Sequence, residues 1–187
     1  MASIITATTS SGLTQSADNS GVLQLASGTG NLVTVPSVTG TAMVSGNMPA
    51  FSAYADTAQT ISSATLTKVT FGTEDFDTNS NFASSRFTPT VTGYYQFNAT
   101  ILCKASSTLT FVGLSFYKNG SNAIRTLNMP IASFSEPSIS ASCLLYLNGS
   151  TDYVEVYGSI TGTGTITFGF NDSAITSRFT GSMVRAA

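Results

Sequence analysis

Between Phe87 and Cys103 the chain reads FTPTVTGYYQFNATILC, and from Tyr95 onward its residues alternate in character. Successive side chains of a strand point to opposite faces, so Tyr95, Phe97, Ala99, Ile101 and Cys103 share one face. Tyr94, Gln96, Asn98, Thr100 and Leu102 share the other. Pro89 cannot donate to a ladder and Thr92-Gly93 is turn chemistry, which predicts that the strand begins near Tyr94. A half-buried strand this apolar needs a sheet around it and a second layer to cover its inner face.

The rest of the chain supplies short segments of the same period. Ala50 to Tyr54 reads as a strand, and Thr65 to Phe71 as another with Thr65, Thr67, Val69 and Phe71 on one side. Gly72 to Ser85, carrying Glu74, Asp75 and Asp77, reads as a loop. Val112, Leu114 and Phe116 are expected to face inward, ahead of a hairpin turn at Lys118-Asn119-Gly120-Ser121, where Asn and Gly tolerate the positive φ of tight turns. Ile139 to Leu147 alternates and ends at a second Asn-Gly, Asn148-Gly149. Val154 and Val156, then Ile166, Phe168 and Phe170, then Phe179 and Met183 complete the inward set. No segment carries an i, i+3, i+4 apolar stripe of helical length. About eight antiparallel strands with regular turn signals predict an all-β sandwich.

The order of these pieces resembles the globular head of complement component one q and, more distantly, the tumour necrosis factor jelly roll. Phe76-Asp77 matches that family's aromatic-Asp element, and Gly93, Tyr95 and Phe97 its Gly-x-Tyr-x-Phe strand. Asp152 and Val154 match its Asp-x-Val hairpin, and Phe179 and Gly181 its closing Phe-x-Gly strand. The likeness runs from about Pro49 to Ala187. It departs at Ser150-Thr151-Asp152, where the family usually has Gly-Asp directly. The resemblance implies an antiparallel jelly-roll β-sandwich. In some members calcium is held near a trimer axis by Asp and backbone oxygens; calcium needs hard oxygen donors in loops, and Asp75, Asp77 and Asp152 could offer them. The plainer reading of these acids, as solvated or turn-capping groups, weighs more, so the expectation is no metal and no cofactor.

Composition excludes several function classes. The sequence has no His and no Trp, which removes the commonest general base and every Ser-His or Cys-His nucleophile arrangement. Two cysteines alone cannot build a zinc site. Carboxylate chemistry of the glycosidase kind would rest on Glu74, Asp75 and Asp77, and consecutive acids of a loop are more often solvated, so no enzyme is expected. Seven Lys and Arg without a cluster, at net charge −2, argue against nucleic-acid binding. No apolar run approaches the roughly 20 residues of a membrane span, so no membrane insertion is expected. Cys103 and Cys143 sit at inward strand positions and read as buried free thiols in preference to a bridge. The start, MASIITATTSSG, lacks the basic and apolar regions of a secretory signal.

The outer face of the central strand carries a different message. Tyr94 and Leu102, with Leu144 and Tyr146 on the Ile139 to Leu147 strand, place large apolar groups where a solvated sheet face reads polar. The resemblance makes these two strands neighbours in the sheet that faces a threefold axis, so the four residues are expected at the interface of a homotrimer.

Residues 1–48 differ in character from the rest of the chain. Asp18 is their only charged side chain, and their apolar pattern is two short strands, Val22 to Leu25 and Leu32 to Val35. Such a hairpin cannot stand alone. Val22, Leu23, Leu25, Leu32, Val33 and Val35 mark it as an attachment arm, ahead of a domain at 49–187. Gly12 to Val35 also resembles the short β-segments near the N-termini of bacteriophage tail-fibre and head-surface proteins. Charged residues make up only 9% of the chain, against about 25% in typical soluble domains. The expectation is a non-enzymatic trimeric structural protein on a bacteriophage virion surface, as capsid decoration or short fibre, joined to other virion proteins by the arm. The alternative is a tail-tip module that binds a host-surface glycan or receptor.

Overall fold

The computed structural model describes residues 23–26, 32–35, 48–130, 136–169 and 177–187. The chain separates into two compact units, Met1–Thr41 and Ala42–Ala187. In the first, β1 (Leu23–Ala26) and β2 (Leu32–Val35) form an antiparallel pair in which Leu23 faces Val35 and Ala26 faces Leu32. Val22 lies outside the described residues.

The second unit is all β among the described residues, and two antiparallel sheets make it a sandwich. At the centre of the seven-stranded sheet is β9 (Thr92–Ala105). One edge of β9 pairs along its length with β12 (Ser138–Asn148). The other edge pairs first with β15 (Arg178–Ala186) and then, from Leu102 to Ala105, with β14 (Ile166–Gly169). β3 (Ala50–Tyr54), β6 (Thr73–Asp77) and β4 (Gln59–Ile61) extend this sheet. The six-stranded sheet is built on β13 (Val154–Gly162) and β10 (Leu109–Lys118). β11 (Ser121–Pro130) pairs with β10; β5 (Thr67–Lys68) and β8 (Arg86–Phe87) pair with β13, and β7 (Phe82–Ala83) with β8.

The alternation of β9 is realised residue by residue. Tyr95, Phe97, Ala99, Ile101 and Cys103 are buried, as are Val112, Leu114 and Phe116 of β10 and Val154 and Val156 of β13. The core between the sheets is aromatic. Phe51 stacks on Phe82 and Phe87, with centroids 4.8 and 4.6 Å away, and meets Phe179 edge-on at 4.9 Å. Gly181 makes this packing possible: a Cβ there would stand 2.6 Å from Phe51 Cε1 and 2.7 Å from Phe97 Cδ1. Asn119 and Gly120, with φ of 54° and 74°, form the two-residue turn between β10 and β11, where Lys118 faces Ser121.

Two expectations about elements need correction. The Gly72 to Ser85 segment is not a plain loop. β6 runs through it and pairs with β3, and β7 follows. Ser52 and Ala53 are opposed by Phe76 and Glu74, so Asp75 is the extra residue of a β-bulge. The strand expected from Thr65 to Phe71 shrinks to β5, and Thr65 is exposed while Val69 and Phe71 are buried beyond the paired stretch. Phe170 lies outside the described residues. Cys103 and Cys143 are buried and free. Cys143 is registered opposite Phe97, six residues along β9 from Cys103, a separation of about 20 Å that no disulfide spans.

Candidate functional site

Two regions of the second unit place chemistry on outer sheet faces. The first is the apolar face of the seven-stranded sheet. Register sets Tyr146 opposite Tyr94 and Leu144 opposite Gln96, so these side chains emerge side by side from β12 and β9. Tyr94, Leu144 and Tyr146 are 42%, 52% and 44% exposed. The two tyrosine rings meet at 5.5 Å and 61°, an edge-to-face pair. Val184 of β15 adds another exposed apolar group, and Tyr94, Leu144, Val184, Arg185 and Ala187 line an open recess of about 460 Å³. Sequence reasoning missed Val184, although its period-two position in β15, opposite the buried Phe179, Gly181 and Met183, carried the signal.

Leu102 does not belong to this face. It lies on the outer side of β9 as expected, yet it is only 5% exposed. The cause is its neighbour in β14: Gly169 has no side chain, and a Cβ there would stand 2.7 Å from Leu102 Cδ2. Leu102 occupies that space, and its backbone N–H donates to the buried Ser177 hydroxyl at 3.0 Å. Its own chain already covers it.

The carboxylates named as possible metal ligands are not brought together. Asp75, re-aimed by its bulge, pairs with Arg178 and accepts from the Ser52 hydroxyl at 2.7 Å. The Ser52 bond holds its carboxyl below the usual range, Arg178 adding to the effect against some burial. Asp77 accepts the backbone N–H of Phe82 at 2.7 Å and of Asn79 at 3.3 Å, closing the turn after β6. Asp152 joins two hairpins. It accepts from Lys118 Nζ at 2.8 Å, Asn119 Nδ2 at 2.7 Å and the Asn148 backbone N–H at 3.1 Å. The Lys118 and Asn119 bonds keep its carboxyl low. Among the described residues no three Cys, Asp or Glu side chains converge as a metal site would require.

The second region was not anticipated. Glu155, on the outer side of β13, is buried although the residues beside it, Val154 and Val156, point into the core. Its Oε1 accepts from Lys68 Nζ at 2.7 Å and from Arg86 Nε at 2.9 Å, with Arg86 Nη2 at 2.8 Å. Burial alone would raise this carboxyl; the Lys68 and Arg86 bonds prevail and hold it below the ordinary value. Arg86 also lies 3.8 Å over the Tyr153 ring, and Tyr117 packs on Tyr157 at 4.2 Å.

The sequence matches no family model and no curated protein. Its fold does have solved counterparts. Murine APRIL crystallised at pH 5.0 is similar over 73% of this chain and 99% of its own, at 11% identity and a TM-score of 0.52. Murine APRIL at pH 8.0 gives the same coverage at 9% identity and a TM-score of 0.51. These likenesses are of fold, and with the two-sheet topology they define the class: an all-β sandwich with the jelly-roll fold of tumour necrosis factor-like proteins.

Proposed function

We propose that the chain is a non-enzymatic, homotrimeric jelly-roll protein displayed on the surface of a bacteriophage virion, as capsid decoration or a short fibre. The observation that carries this reading is the exposed apolar cluster of Tyr94, Leu144 and Tyr146 on two register-paired strands. A contiguous apolar patch on a folded sheet marks a second buried contact. Closed symmetry uses the same patch on every copy and leaves no free edge, and the resemblance to the complement head and tumour necrosis factor jelly roll favours three copies.

Display on a particle is supported by the sparse charge, seven Lys and Arg and nine Asp and Glu in 187 residues. The N-terminal segment supports attachment. β1 and β2 are two short strands with backbone able to add to another sheet, and Asp18 is the only charge in residues 1–48 that docking would have to desolvate. The full chain in solution is expected to scatter light as three copies of its 19.3 kDa. A chain lacking the residues before Pro49 should remain a trimer and no longer join the particle. A folded monomer at micromolar concentration would remove the trimer. Particle binding that survives the deletion, or collapse of the trimer without residues 1–48, would remove the arm's role. Absence of the protein from the mass spectrum of purified virions would remove the phage assignment.

A further inference from the structure

The outer face of the six-stranded sheet is organised around an ion that is costly to bury. One register row across this face runs Ser115, Tyr157, Lys68, and the next Tyr117, Glu155, Arg86. Two cations therefore converge on one carboxylate and leave the group with one net positive charge. Taking a carboxylate out of water is costly, and an apolar residue of similar size commonly serves stability as well. What Glu155 does provide is position. It fixes two flexible cationic side chains, 31% and 43% exposed, at one spot on a chain otherwise poor in charge.

That spot opens onto a cleft of about 440 Å³, lined by Lys68 and Arg86 with Ser80, Asn81, Ser84 and Thr88. Its wall is strained in an unusual way. Ser80 and Ser84 hold φ of 54° and 50°, and Ser84 with Ser85 (φ 57°) fills the two-residue turn between β7 and β8. Left-handed backbone is costly for a residue with a Cβ, a cost that glycine avoids. Ser85 has an internal reason to be serine, since its hydroxyl accepts the Phe71 N–H at 2.9 Å. Asn81 is also committed inward, donating to the Asn79 carbonyl at 3.1 Å and accepting the Thr90 N–H at 3.3 Å, so it braces the wall. Ser80 and Ser84 are exposed, and the side chain kept at that conformational cost is a hydroxyl on the cleft.

We propose that this cleft binds an acidic saccharide. Lys68 and Arg86 take its carboxylate or sulfate group through charge-assisted bonds, and Ser80, Ser84 and Thr88 take ring hydroxyls. Two cations are too few to track a nucleic-acid backbone, where affinity rests on many phosphate contacts. A bare inorganic anion would satisfy the cations and leave the hydroxyl rim unused.

Calorimetric titration of the full chain with N-acetylneuraminate and galacturonate, against galactose and sodium sulfate, tests the assignment. Saturable binding of an acidic sugar is expected, at least about tenfold tighter than galactose or sulfate, the scale of one charge-assisted bond. Arg86→Gln and Lys68→Gln should each weaken it by about tenfold or more. Because those changes also remove partners of Glu155, Ser84→Gly is the gentler probe. Its backbone conformation suits glycine, its melting temperature should not fall, and binding should drop about threefold for one lost neutral hydrogen bond. No saturable binding of either acidic sugar would overturn the proposal. So would sulfate binding as tightly as the sugars, or affinity unchanged in both Arg86→Gln and Ser84→Gly. The cleft makes no use of Tyr94, Leu144 or Tyr146, so the oligomer mass reports separately on the trimer.

Discussion

The two sheets share one aromatic core but turn different outer faces to solvent. On the seven-stranded sheet, Tyr94, Leu144, Tyr146 and Val184 stand exposed. On the six-stranded sheet, Glu155, Lys68, Arg86 and Asp152 with Lys118 spend their charges on one another. Apolar area left in water is free energy that only a partner can recover. A closed ion cluster has already recovered most of its own and offers a ligand only its surplus charge and spare donors. The first face is therefore expected to govern assembly and the second to govern stability and recognition.

The comparison breaks at its shared base if the core is misread. Phe97→Ala, which empties a fully buried site between both sheets, should cost about 3–5 kcal/mol in urea unfolding. A loss below about 1 kcal/mol would mean that the β9 register is wrong. Next in size, Glu155→Gln should cost about 1.5–3 kcal/mol, the worth of hydrogen bonds to a charged group, while leaving the oligomer mass unchanged. A shift in mass would merge the roles of the two faces.

Acidification tests the ion pairs themselves, of which Asp75 with Arg178 belongs to the seven-stranded sheet. Asp75, Asp152 and Glu155 all titrate below their ordinary values in the folded chain. A depressed folded pKa means stability that is complete above the unfolded value, near 4 for these acids, and lost as pH falls through the folded one. Thermal melting should be level from about pH 7 to 5 and fall below it, less steeply in the Glu155→Gln chain than in the parent. A melting temperature that rises on going from pH 5 to 3 would contradict the assigned ion pairs. The smallest stability effect belongs to Leu144→Ser. It should change unfolding free energy by no more than about 0.5 kcal/mol in the dissociated chain, yet shift the mass toward monomer. A large stability loss without a change in mass would reverse the division between the faces.

The inner half of the fold was legible because it depends on local period. Tyr95 to Cys103, Val112 to Phe116 and the Asn119-Gly120 turn need only strand geometry and the φ tolerance of two residues. The errors arise where a distant neighbour decides. Nothing near Leu102 in sequence announces that Gly169 leaves it room. β6 was hidden because Thr-Glu-Asp-Phe-Asp is acid-rich and bulged, and becomes a strand only beside β3. Val-Glu-Val at 154–156 reads as an ordinary strand with a solvated acid. Its buried state depends on Lys68, 87 residues away, and Arg86, 69 away. The Ser84-Ser85 turn was silent because serine carries no advance sign of positive φ. Three of the four residues expected at a trimer interface, Tyr94, Leu144 and Tyr146, are exposed as the alternation implied, since an outward position needs no partner to define it.

The inward placement of Cys103 and Cys143 has a consequence beyond packing. Burial pushes both thiols up to about 12. At neutral pH the reactive thiolate is then present in on the order of one molecule in 10⁵. Thiolate is the species that attacks peroxides, disulfides and alkylating reagents, so the chain carries cysteine without its usual reactivity. The state of these two thiols is therefore expected to be the same in a glutathione-rich cytosol and in aerated water.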